Sequence, residues 1–328
     1  MKKIVVFIGI LLGLASATLL PPFPQTEITN GIIRAKLYLP DSVSGYYQGV
    51  RFDWSGVIAS LDYKDHSYFG QWFEKNDPKG HDAISGPVEE FTPIGYDEAK
   101  PGGDFLKIGV GSLRKSKEAP YRFATPYAIV NPGKRTVKTG RDAVVFTHEL
   151  SDAAGYSYVY QKTVKLLKGK PVLVLEHSLK NTGPKTIETT VYDHNFFMLD
   201  HQPTGPDVSV TFPFDLQIKP TRGIGTFATI QGNRFVYLNE LPKGESTHCY
   251  LTGFGDSAKD YDFRVENRKT GAGVRVVGDQ PIVQLAFWSI NTTVCPEPYI
   301  QIKAEPGQTF RWKISYDYYT LPKTASTR

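Results

Sequence analysis

Two residues of this 328-residue chain could do chemistry together, and they stand more than a hundred positions apart. His194 lies in the run Asp193-His194-Asn195-Phe196-Phe197. Imidazole titrates near physiological pH, so a histidine held there, with Asp193 and Asn195 as candidate partners, can exchange a proton near neutrality. Glu297 stands between Pro296 and Pro298. Two prolines stiffen the backbone and remove two N–H donors, which predicts a strand end or a bulge rather than a central strand. Burial against Trp288 or Cys295 would raise its carboxyl toward the working range of a general base. Taken singly, each reads equally as a structural residue; taken together they read as an acid and a base.

The elements that must position them are strands. Residues 172–175 form a continuous apolar run, as expected of a strand covered on both faces. Asn181-Thr182-Gly183-Pro184 is a turn signal, and residues 186–197, rich in β-branched and aromatic side chains, predict a second strand that ends on His194. Near the end, Phe310, Trp312, Ile314 and Tyr316 alternate with Arg311, Lys313 and Ser315, the period of a half-buried strand. With 13% aromatic residues, 23 Pro, 30 Gly and no long helical pattern, the chain reads as all-β. No linker or repeat divides residues 18–328, which predicts one domain. Residues 70–109 are loop-rich, and their Trp72, Glu89, Glu90 and Tyr96 could line a carbohydrate cleft: a sugar's C–H face packs on aromatic rings while its hydroxyls need acceptors.

The remaining features bound the partners. Lys2-Lys3, the apolar residues 4–14 and Ala15-Ser16-Ala17 have the layout of a signal peptide over residues 1–17, which predicts a secreted or periplasmic protein beginning near Thr18. Residues 18–30 then read as an extended lead-in and 320–328 as a frayed tail. No later segment is apolar enough for a membrane span. The formal charge is +5, two units of it from Lys2 and Lys3; with no Lys/Arg run to follow a phosphate backbone, nucleic acid is not an expected partner. Cys249 and Cys295 could pair or stay apart, and no metal-type Cys/His spacing occurs.

In order along the chain, several segments resemble the galactose mutarotase-like, or aldose 1-epimerase, superfamily. The stretch Ser55-Gly56-Val57-Ile58-Ala59-Ser60-Leu61-Asp62-Tyr63-Lys64 looks like its opening strand pair. Gly155-Tyr156 and residues 160–166 resemble the entry to its central sheet. Asn181-Thr182-Gly183, followed by residues 193–199, is similar to the segment that carries the family's catalytic histidine. Val294-Cys295-Pro296-Glu297-Pro298 is similar to the segment with its catalytic glutamate, and Glu305-Pro306-Gly307 to its closing turn. The resemblance implies a supersandwich of two large, mostly antiparallel twisted sheets. It also implies that His194 protonates a pyranose ring oxygen while Glu297 takes the anomeric proton, with no metal and no cofactor. By analogy with carboxyls that flank a pyranose, the two groups would sit on opposite sides of the sugar, roughly 5–9 Å apart. Expected substrate contacts are Asp193, Asn195, Trp72, His81, Glu89, Trp288 and Arg114. His81, with Arg51 or Arg114, would stand in for a second histidine and an early arginine that the family carries. Asp193 occupies a position where the family has asparagine. Other members of the superfamily suggest two further readings, a non-catalytic sugar-binding protein and a polysaccharide lyase or hydrolase in which His194 or Tyr192 abstracts a proton.

Overall fold

The computed structural model describes residues 23–152 and 154–322; the leader of residues 1–17 and the end of the tail lie outside the described residues. Among those described, nearly all regular structure is β, in two large antiparallel sheets with two smaller ones beside them. Part of the lead-in is already a strand: Gln25–Thr29 pairs with Ile33–Tyr38. At the other end, Thr309–Thr320 stays in its sheet through Thr320, so fraying does not begin there.

The larger sheet has ten strands, with Ala272–Gly278, Thr309–Thr320, Val172–Asn181 and Ser157–Leu166 side by side near its middle. Leu173, Val174 and Leu175 are all buried, as their apolar run predicts. Along Thr309–Thr320, Trp312, Ile314, Tyr316 and Tyr318 are buried while Arg311, Lys313 and Asp317 are exposed, so the period-two pattern marks the inner face.

The second sheet has six strands, in the order Gln217–Arg222, Ser246–Thr252, Gln284–Ile290, Thr293–Ala304, Ile187–His194 and Val88–Phe91. The turn at Asn181–Pro184 therefore does not fold one strand back on its neighbour: it hands the chain from the ten-stranded sheet to the six-stranded one.

One face of the six-stranded sheet packs on the ten-stranded sheet. Phe91 meets Tyr160 and Trp312 edge-on, with ring centroids 5.5 and 6.3 Å apart. Polar side chains also meet in this interior. Lys162 is ion-paired with Glu89, and the Tyr316 hydroxyl lies 2.9 Å from both Asp193 Oδ2 and Asn195 Oδ1. Tyr316 has one proton and can donate it to only one of them. Burial and the neighbouring Glu89 push the Asp193 carboxyl up to about 8, against the opposing pull of Lys162 and the Tyr316 bond. The Tyr316 hydroxyl donates to Asp193 or to Asn195, and the Asn195 amide donates to the Pro296 carbonyl at 2.6 Å. This chain of bonds ties the ten-stranded sheet to both strands that carry the candidate pair.

Replacing Tyr316 by Phe leaves Asp193 and Asn195 buried without that partner, and we expect a loss of about 1–3 kcal/mol in denaturant unfolding. An unchanged midpoint would contradict this account of the interior.

Candidate functional site

His194 and Glu297 are cross-strand neighbours. The ladder between Ile187–His194 and Thr293–Ala304 runs from Ile187 opposite Ala304 to Tyr192 opposite Tyr299, and an isolated bridge in the same register joins Phe197 to Val294. That register sets His194 directly opposite Glu297, and side chains in such pairs touch. His194 Nε2 and Glu297 Oε1 are 3.2 Å apart, within ion-pair reach though not aligned as a hydrogen bond. The expected separation across a sugar ring is thus corrected to direct contact.

The position of Glu297 is also corrected: it lies inside a twelve-residue strand with a neighbour on each side. The reason is visible in the ladders. Pairing with Gln284–Ile290 continues through Pro296 and Pro298, whereas pairing with Ile187–His194 lapses between Tyr299 and Val294. The missing proline donors coincide with that gap, and the Asn195 amide spans part of it through the Pro296 carbonyl. A central strand accepts two prolines where its ladder is already open.

Strand alternation decides which side chains share the cleft. Tyr192, His194 and Phe196 face it, as do Glu297 and Tyr299, Ala286 and Trp288, His248 and Tyr250, and Glu90. Loops add Arg51, Trp72, His81, Asp82 and Phe123 around a volume of about 380 Å³, toward the lower end of ordinary ligand sites, roughly 300–1,000 Å³. Of the expected contacts, Trp72, His81 and Trp288 line this cleft with the pair. Asp193 and Asn195 point to the inter-sheet interior, and so does Glu89, ion-paired with Lys162; its neighbour Glu90 faces the cleft instead. Arg114 is an exposed partner of Asp104 outside the cleft, whereas Arg51 lines it. Tyr96 belongs to a separate aromatic cluster with Phe105 and Tyr127. Tyr299, Phe196, His248, Tyr250 and Phe123 carried no signal of their own. Phe196 and Tyr299 could have been reached by stepping two residues along the chain from His194 and Glu297; His248 and Tyr250 come from a strand further along the sheet and Phe123 from a loop.

The walls fix the imidazole. Phe196, at φ 42°, stacks on His194 with ring centroids 3.8 Å apart, and Trp72 stacks on Phe196 at 5.1 Å. Phe52 and Trp288 close the edges at 5.6 and 5.7 Å. Gly86 passes so close to the His194 carbonyl that a Cβ there would stand 2.5 Å from it. Beside the pair, the Glu90 carboxylate accepts from Arg51 Nε at 2.6 Å and from the Tyr192 hydroxyl, with Lys107 Nζ 3.5 Å away. Burial opposes ionisation of Glu90, but Arg51 and Lys107 outweigh it and hold its carboxyl below the usual range.

Burial acts the other way on the pair. His194 is 4% exposed and Glu297 6%. Burial, with the nearby Arg51 charge, depresses the imidazole well below 6.5. Burial, opposed by Arg51 and reinforced by Glu90, lifts the Glu297 carboxyl to about 8. Near neutral pH the two share one proton, which rests on the carboxyl. Cys249 and Cys295 are free and buried; they are opposite Phe287 and Trp288 respectively, and so on opposite faces of the sheet. Among the described residues there is no group of three metal-ligating side chains and no helix long and apolar enough to cross a membrane.

Comparison with solved structures identifies the fold. A galactose mutarotase related enzyme from Lactobacillus acidophilus superposes with a TM-score of 0.55 at 16% identity, over 90% of this chain and 97% of that one. An aldose epimerase homologue from C. elegans does so with 0.54 at 13% identity, over 91% and 99%. The chain has the galactose mutarotase-like fold. A galactose mutarotase-like protein from Clostridium acetobutylicum shares it as well, with a TM-score of 0.52 at 12% identity over 90% and 95%. No family model matches the sequence, and no curated protein does. Within this fold the cleft on the six-stranded sheet is the candidate site.

The raised carboxyl makes a stability prediction. The Glu297 carboxyl ionises near 4.5 when unfolded and near 8 when folded, so its contribution is fully present below about pH 4.5 and is lost as pH rises toward 8. Glu297→Gln should therefore gain stability relative to the parent on going from pH 5 to pH 8, on the order of a few kcal/mol. Parallel pH–stability curves for the two proteins would contradict it.

Proposed function

We propose that this chain catalyses anomer interconversion of an aldopyranose, as an aldose 1-epimerase does, by acid–base ring opening. The observation that carries the reading is the His194–Glu297 pair, held in register 3.2 Å apart at the floor of a small aromatic cleft. The ring oxygen and the anomeric hydroxyl of a pyranose are bonded to the same carbon, so an acid and a base that serve them can be neighbours and need not flank the ring. One group donates its proton to the ring oxygen while the other takes the proton of the anomeric hydroxyl. The C1–ring oxygen bond breaks and an aldehyde forms. Rotation about C1–C2 turns the other face of the carbonyl toward the ring-oxygen hydroxyl. Closure returns both protons and leaves the opposite anomer.

The family resemblance gives the donating role to His194 and the accepting role to Glu297. With the resting proton on the carboxyl, one transfer within the 3.2 Å contact supplies that arrangement. Trp72 and Trp288 offer apolar surface to the C–H face of a sugar, and ionised Glu90 and Arg51 offer hydroxyl partners. The near-complete burial of both side chains favours a second reading, a carbohydrate-binding protein without turnover. The lyase reading gains nothing from Tyr192, whose phenol donates to Glu90 and is raised well above its ordinary value by burial. We place the activity outside the cytoplasm on the strength of residues 1–17; a mature N-terminus at Thr18 on sequencing supports this and a retained Met1 contradicts it.

Polarimetry on freshly dissolved α-glucose and α-galactose tests the catalytic reading. The protein should accelerate the approach to anomeric equilibrium, with a limb falling above about pH 8, and Glu297→Gln should cost roughly 10²–10⁴ in rate. Binding of either sugar without acceleration would select the second reading.

A further inference from the structure

The cleft has features its floor does not use. Phe123 is an apolar ring left 45% exposed where it lines the cleft, and Tyr250, which also lines it, is 37% exposed. Phe123 is not loose. Its inner face covers the Arg51 guanidinium at 4.1 Å, and Arg51 in turn lies 4.5 Å over Phe52, whose edge meets His194. A column of packed groups thus runs from the imidazole to the mouth and ends in a ring whose outer side is open. Beside it stand His81, 5.7 Å from Phe123 between centroids, and Asp82, whose only ion-pair partner among the described residues is that histidine at 3.5 Å. An exposed ring with an acceptor carboxylate beside it is what a sugar unit needs, a flat apolar surface for its C–H face and an oxygen for its hydroxyls.

The direction of the bound ring links this mouth to the floor. On the ring-opening reading, on which this inference rests, the anomeric carbon must face His194 and Glu297. The far edge of the pyranose, with its 3- and 4-hydroxyls, then points outward. Tyr250 is opposite Ala286, which is opposite Glu297, so its backbone is two strands, roughly 10 Å, from the glutamate. That is farther than one six-membered ring reaches. Any further unit of a glycan would leave through the opening that Phe123, Asp82 and Tyr250 surround.

We propose that the mouth is a second sugar subsite, and that the preferred ligand is the reducing end of an uncharged disaccharide or longer glycan rather than a free monosaccharide. The penultimate unit stacks on the outer face of Phe123 and gives a hydroxyl to Asp82, with Tyr250 as the facing wall. An acidic or phosphorylated unit is disfavoured there because Asp82 is the rim charge and Arg51, beneath the ring, is committed to Glu90.

Trp72 and Trp288 line the cleft, so intrinsic fluorescence reports binding without requiring turnover. Titrations with glucose are compared with maltose, cellobiose and lactose, each of which ends in a reducing glucose. At least one disaccharide should bind about tenfold more tightly than glucose. In Phe123→Ala the ratio of the two affinities should fall close to one, and Phe123→Trp should keep it. Equal affinities in the parent protein, or a ratio that survives Phe123→Ala, would overturn the subsite while leaving the floor chemistry standing. Quenching by none of the four sugars would remove both.

Discussion

The site depends on one register. The strands Ile187–His194 and Thr293–Ala304 are paired so that Tyr192 meets Tyr299, and the same offset reappears at Phe197 and Val294 beyond a gap in the ladder. That register sets His194 opposite Glu297. A slip by one residue would turn one of them into the inter-sheet interior and leave the other facing an empty position, since side chains alternate across a strand. The gap in the ladder is part of the device. Where the two prolines offer no donors, the Asn195 amide and the Tyr316 hydroxyl hold the strands from the interior side, and the cleft side is left to the pair.

The same alternation sorts charge by function. On the inner face Glu89 has Lys162, and Asp193 and Asn195 share Tyr316; these groups join the two sheets. On the outer face Glu90 is ionised against Arg51 and Lys107, and Glu297 stays protonated against a neutral imidazole. Adjacent residues of one short strand, Glu89 and Glu90, thus serve opposite sides of the sheet. Burial disfavours charge at the His194–Glu297 pair, and the result is a neutral imidazole beside a carboxyl that keeps its proton near neutral pH. Titratable groups perturbed in this way are common at functional sites.

Much of this was legible in the chain. The all-β composition and the alternation before Tyr318 can be read from residue types and spacing alone, and Trp72, His81 and Trp288 line one cleft with His194 and Glu297. What could not be read was phase. Asp193 and Asn195 flank the histidine in sequence and therefore point away from it in a strand, and Glu89 misleads in the same way by one position. The prolines around Glu297 argue against a central strand only if its ladder is complete on both sides, and that depends on a partner distant in sequence. Arg51 and Phe123 reach the cleft from loops whose paths are set by tertiary packing, so no local pattern marks them.

The most direct test is a crystal structure of the protein with an aldopyranose in the cleft. This account predicts the ring oxygen and the anomeric hydroxyl on the same side, each about 3 Å from His194 or Glu297, with the two side chains still in contact. A sugar bound elsewhere, or one lodged between the two side chains after they have moved apart, would contradict it.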